Sequence, residues 1–305
     1  MATEKNHYIP QFYLRGWASN AGQLFEYARR YQGQVAARPT HPKGTGYQKG
    51  LYKVAGLPPE GAHWIEEEFL FLTDDRASKA LGLMLDDKLA EVQGELKNAW
   101  SRFIISIWNR NPEKIAWLKK IWRNHNEAKE PIFRKMFEEK RQDGDPATYD
   151  EWKALFGPEA EGRLLVNLMQ RVMDLPQVGQ FLNDMRWGVI TVQDAQHSFM
   201  TSDRPILKPF PFIHDDAHIA MPISPTKLFV AVKRDATLEL IKRNGRAPII
   251  VKSNAMIACQ AATFVYGHTD RMTAFVDRRL NRDPEALHWA TFQINHTPGC
   301  WCGAP

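Results

Sequence analysis

The chain has 305 residues, 44% of them hydrophobic and 25% charged, which is enough apolar side chain for a substantial core and excludes a disordered segment. Its apolar runs, such as residues 228–232, fall far short of the roughly 20 residues of a membrane helix. The first residues lack a signal-peptide core, and three cysteines are too few for a disulfide framework, so a cytoplasmic protein with no membrane partner is expected. The net charge of +5 is uneven: residues 1–53 carry eight basic and two acidic side chains, a net of +6, and the rest is close to neutral.

Residues 6–17 combine His7, Tyr8, Pro10, Gln11, Tyr13, Arg15 and Trp17 in a dozen positions, a composition that predicts an ordered opening rather than a frayed end. Residues 23–29 and 34–38 read as a β-hairpin across a loop at 31–33, and residues 50–54 as a further short strand. From about residue 62 the period changes. Leu81, Leu85, Leu89, Val92, Leu96, Trp100 and Phe103 recur at three- and four-residue steps and predict one long amphipathic helix. Asn111 followed by Pro112 offers an N-cap and a first-turn proline for a second helix, which Pro131 is expected to break. Another helix is expected over 159–173, ended or kinked by Pro176.

Residues 187–192, 197–201, 219–223 and 227–232 then read as strands with short connections, favouring antiparallel pairing, and residues 252–266 as a helix. The expected class is α+β: an antiparallel sheet built from N-terminal and C-terminal strands around a large helical middle. The expected organisation is one domain over 1–269, with 62–185 as a helical insertion or subdomain and 270–305 as a C-terminal extension.

Four stretches carry a resemblance. His7-Tyr8-Ile9-Pro10-Gln11-Phe12-Tyr13-Leu14-Arg15, Thr201-Ser202-Asp203-Arg204-Pro205, Pro222-Ile223-Ser224-Pro225, and Asn254 ahead of Gln260 and residues 261–266 resemble the ordered landmarks of a bacterial domain-of-unknown-function family, number 4238. Arg110-Asn111-Pro112 resembles that family's midpoint. The resemblance spans roughly residues 5–268 and implies an architecture rather than a chemistry. Relatives carry acids one or two helical turns apart in the first helix, and here Glu66, Glu67, Glu68, Asp74 and Asp75 all compete for those positions.

Candidate chemistry starts at His7, a base or metal ligand by residue type, with ordering of the opening segment as the alternative. Arg15 suits a bidentate clamp on phosphate. Asp203 stands where a strand meets a proline-fixed turn, a place for a functional carboxylate and equally for one that satisfies backbone donors. Glu66 and Glu67 sit at a helix start, where acids are favoured regardless of function. If they met His7 and Asp203, the set would hold a divalent metal such as Mg or Mn and activate water for phosphodiester hydrolysis.

A metal-dependent phosphodiesterase or nuclease-like hydrolase is therefore one expectation. The other is a non-enzymatic module whose basic aromatic surface, with Arg29, Arg30 and Arg38, binds nucleic acid or a protein partner. His296, Cys300 and Cys302 do not match zinc-finger spacing, and the sequence has no nucleophile elbow around Ser202, no P-loop and no dinucleotide fingerprint.

Overall fold

A computed structural model describes residues 5–54, 57, 65–192, 197–243 and 245–283, without the side chains of Tyr31, Glu66–Glu68, residues 156–158 and Arg246. The class is α+β. β1 (Lys5–His7) leads into α1 (Gln11–Leu14), and β2 (Leu24–Arg29) and β3 (Val35–Thr40) form the expected hairpin with Phe25 opposite Pro39. β4 (Tyr47–Lys49) pairs with β1, placing His7 opposite Tyr47. The strand expected at 50–54 is a turn instead. Gly50 takes a left-handed φ of 63°, and the Asn6 side chain accepts the Leu51 N–H, satisfying locally a donor that a strand would present to a neighbour.

The single long helix expected through residue 103 is two helices, α2 (Phe71–Leu85) and α3 (Gly94–Asn109), packed on each other. Asp87 breaks the run with a φ of 61°, and its carboxylate is held by the Lys227 ammonium. The leucine spacing survives because both helices and the turn between them face one core. α4 (Pro112–Lys140) starts as expected, with the Asn111 side chain accepting the Lys114 N–H at 2.9 Å. It then runs straight through Pro131. That residue is exposed, so the carbonyl freed by the missing N–H faces water, which lowers the penalty for an interior proline. α5 (Tyr149–Met173) opens on a Thr148–Glu151 capping box, and Pro176 begins α6 (Pro176–Asp184).

β5 (Arg186–Thr191), β8 (Lys227–Val232) and β7 (His218–Ser224) form a three-stranded antiparallel sheet in that order. β6 shrinks to Thr201–Ser202, because the Asn254 side chain bonds the Met200 N–H and the Ser198 carbonyl in place of a strand partner. After α7 (Asp235–Arg243), α8 (Arg246–Gln260) stops short of the expected helix end, and Val265–Gly267 is strand β9. The sheet β3-β2-β9-β6 makes N-terminal and C-terminal strands neighbours, as expected, and the described strands fall into three sheets rather than one. Past residue 270, α9 (Thr273–Asp277) and the turn after it pack Val276 and Leu280 against Tyr27 and Val35.

The opening segment is bolted to the late strands. Tyr13 donates its only hydroxyl proton to the Pro222 carbonyl at 2.7 Å, so the Thr201 hydroxyl 2.6 Å away donates to Tyr13. Trp17 Nε1 donates to the Phe199 carbonyl at 2.8 Å. Gly16 is required by this docking, since a Cβ there would stand 2.9 Å from the Ile223 carbonyl oxygen.

Candidate functional site

The landmark stretches meet at two kinds of place. At one, polar side chains stitch backbone. Asp203 is 3% exposed and its carboxylate accepts three backbone N–H groups, from Ala262 at 2.9 Å, Thr263 at 2.6 Å and Phe264 at 2.9 Å. Burial pushes its pKa up to about 6, against the opposing pull of the three donors. Gln260 donates to the Arg204 and Ile206 carbonyls, and Ser202 Oγ accepts from the Arg204 N–H. These groups hold β6 to the turn between α8 and β9.

At the other, charged side chains collect around the end of α3 and the start of α4. Arg110, fully buried, grips Asp74 with two bonds of 3.1 and 3.2 Å, so Asp74 is the first-helix acid that meets the Arg-Asn-Pro midpoint. His7 lies within electrostatic reach of Arg110, its ring 5.6 Å from Tyr47. Burial lowers its pKa, a bond to the Lys43 backbone opposes, and Lys5 and Arg110 lower it further, so the imidazole is neutral near pH 7. Its Nε2 is buried and meets no hydrogen-bond partner among the described residues. Tyr8 is buried beside Asp203, Glu113 and Glu26, and burial and these carboxylates hold its proton on.

Next to this stands a cationic cluster that the sequence reading missed. Lys114 is the third residue of α4, close to the positive end of the helix dipole, where cations are disfavoured. Its Nζ donates to the Trp108 carbonyl at 2.8 Å and to Asn109 Oδ1 at 3.3 Å, and lies 5.1 Å from the Trp108 ring. Lys208 Nζ stands 5.8 Å from the same ring and 5.3 Å from Phe212. Arg204, 9% exposed, is 3.7 Å from Glu113, itself 47% exposed. Burial, then Arg204 and Lys208, bring the Lys114 pKa down to about 7, and burial lowers Lys208 as well. Lys114 and Lys208 thus share the Trp108 ring, next to the Arg204–Glu113 pair. The signal in the sequence was a lysine in the first turn of a helix, together with Arg204 and Lys208 set among Pro205, Pro209, Pro211 and aromatic residues.

The other candidates are dispersed. Arg15 is exposed at the end of α1. The side chains of Glu66 and Glu67 lie outside the described residues, as do His296, Cys300 and Cys302. Among the described residues no group of three or more His, Cys, Asp or Glu side chains is placed to hold a metal ion. Arg29 bonds Asp277 and the Gly33 and Leu280 carbonyls, while Arg30 and Arg38 both pair with the buried Glu26. Glu26 also accepts from Thr45, which in turn is bonded to Tyr266. The N-terminal arginines are therefore partly neutralised.

Two clefts among the described residues lie elsewhere, on the helical half. One of about 600 Å³ is lined by α2, α3 and α6, and another runs between α4 and α5. No helix among the described residues is long and apolar enough to cross a membrane.

No curated protein and no solved structure matches the chain. A family model described as Protein of unknown function (DUF4238) matches residues 5–271, a span that holds the interlocked opening segment, the Arg110–Asp74 pair and the stitched β6 turn. The chain therefore belongs to the DUF4238 family.

Proposed function

We propose that the protein binds a ligand carrying a phosphate or carboxylate group at Lys114, Arg204 and Lys208. The observations that support this are Lys114 and Lys208 set over one face or edge of the Trp108 ring at 5.1 and 5.8 Å, with Arg204 beside Glu113 at the start of α4. Such an arrangement raises the energy of the empty site, and an anion relieves it. Trp108 and Phe212 supply the apolar walls.

Proton linkage gives the reading a sharp test. An anion beside Lys114 raises its pKa from about 7 toward the ordinary lysine value, so binding near pH 8 draws in a proton and weakens as pH rises above 7. Calorimetric titration with inorganic phosphate, repeated in buffers of different ionisation enthalpy, is expected to show saturable binding with proton uptake. Lys208→Ala is expected to weaken it about tenfold, as one lost charged hydrogen bond would. Absence of binding, or equal binding by the variant, refutes the assignment.

The second reading is the metal-dependent phosphodiesterase or nuclease-like hydrolase, and what favours it is His7, neutral, with an Nε2 that has no hydrogen-bond partner among the described residues and within electrostatic reach of Arg110. A proton acceptor beside a cation suits attack of water on a phosphodiester. The difficulty is Asp203, whose oxygens are already taken by backbone donors. Cleavage of a phosphodiester reporter in Mn²⁺, abolished in His7→Ala, is the expected result under this reading. Cleavage that persists in the variant removes His7 from the mechanism.

A further inference from the structure

We propose that the outer face of α4 is the surface through which two copies of this chain pair, their α4 helices lying antiparallel about a two-fold axis. The last buried residue of α4 is Leu118, and from Lys119 to Lys140 the helix runs outside the core. On one side of that stretch α5 covers it. Arg134 bonds Asp150, Lys153 stands beside Glu130, and Phe137 packs on Tyr149 with ring centres 6.1 Å apart. The opposite side carries Trp117, Ile121, His125, Ala128, Ile132 and Met136, every one of them exposed. At 3.6 residues per turn these six fall within roughly 100° of the helix circumference and run along about 28 Å of it. A continuous apolar stripe of this kind marks an interaction surface, where single scattered residues would not.

Two features select a second copy as the occupant. The six residues are spaced four, four, three, four and four apart, a series that reads the same from either end. A reversed copy therefore sets Ile121 against Ile132, Trp117 against Met136 and His125 against Ala128, and the two-fold axis repeats each contact. Charge gives the same direction. Residues 112–126 hold four basic and one acidic side chain, a net of +3, whereas residues 127–151 hold five basic and eight acidic ones, a net of −3. Antiparallel copies lay the basic root of one α4–α5 hairpin along the acidic tip of the other, and parallel copies would set like against like.

The same register gives the cleft between α4 and α5 an occupant. Met136 lines that cleft together with Trp122, Phe133 and Leu164, so Trp117 of each copy stands at the lip of the other's cleft. A tryptophan seated there is the kind of buried aromatic anchor on which interfaces depend. The two hairpins side by side make a four-helix assembly, in which each stripe finds the cover that one hairpin alone does not provide.

Sedimentation of the full chain is expected to give twice the mass of the 35.1 kDa monomer at about 10 μM. Ile121→Glu puts an unpaired carboxylate in the middle of the stripe and is expected to weaken pairing about a hundredfold. Its circular dichroism is expected to match wild type, because Ile121 is exposed in the single chain. Ile132→Glu is expected to behave in the same way. Joining Ile121→Glu to Ile132→Lys places opposite charges across each antiparallel contact and is expected to restore pairing about tenfold over Ile121→Glu alone. A wild-type chain that stays monomeric at about 100 μM, a concentration at which even weak pairs form, overturns the proposal. If truncation after Asp283 then produces a dimer, the stripe belongs to the chain's own last residues. A dimer that survives both Ile121→Glu and Ile132→Glu pairs through another surface and overturns it equally. A double variant no tighter than Ile121→Glu overturns the antiparallel register.

Discussion

Trp17→Ala is expected to cost about 3–5 kcal/mol, a large share of the stability of a domain of this kind. The indole is completely buried in the main core, sits edge-on to Tyr13 at 5.2 Å between ring centres, and bonds the Phe199 carbonyl. Alanine leaves a cavity the size of the largest side chain and a buried carbonyl without its donor. Trp17→Phe separates the two contributions: it keeps most of the volume and is expected to lose about 1–2 kcal/mol. Urea unfolding, read as a shift in midpoint at constant slope, measures both. A midpoint unchanged in Trp17→Ala would make the opening segment an appendage.

The second large effect is expected at Asp203. In Asp203→Asn one carboxylate oxygen becomes an NH₂ group facing backbone donors, so at least one charge-assisted bond is replaced by a donor–donor clash, at a cost of roughly 3 kcal/mol or more. Protonation of the aspartate is different, because its single hydrogen can occupy a lone pair that no N–H uses. The folded-state pKa of about 6 lies above the unfolded value of about 3.9. The stabilisation from a neutral Asp203 is therefore complete below about pH 4 and lost as pH rises through 6, a swing of about 2–3 kcal/mol. The stability gap between wild type and Asp203→Asn is expected to widen as pH falls from 7 to 4. A gap that narrows would show that the three donors outweigh burial and that Asp203 stays ionised.

Local features were legible in the sequence because their causes are local. The β2–β3 hairpin follows from alternating side chains around a short polar loop, the α4 start from Asn111 and Pro112, and the β7–β8 hairpin from two apolar runs joined by three turn residues. What escaped depends on tertiary partners. The leucine period continues across residues 86–93 because one core receives both α2 and α3, so periodicity alone cannot reveal the turn between them. Asp203 was read as either functional or turn-forming; its donors come from residues 262–264, some sixty positions away. The same holds for charge. Lys114, Arg204 and Lys208 each look like a surface residue until the chain brings α4 and the β6 turn together.

The bolts between the opening segment and the late strands also set an order of events. Trp17 waits for Phe199, 182 residues downstream, and Tyr13 for Pro222, 209 downstream. At synthesis rates of about 5–20 residues per second, the Trp17 and Tyr13 polar ends wait roughly 10–40 s for these acceptors, although Phe103 reaches the Phe12 and Tyr13 rings sooner. The α2–α3 and α4–α5 contacts of the helical middle are close in sequence and can form before that, while Trp100 of α3 also waits for Phe229. The last third of the polypeptide thus acts as the clasp that closes both the opening segment and the helical core.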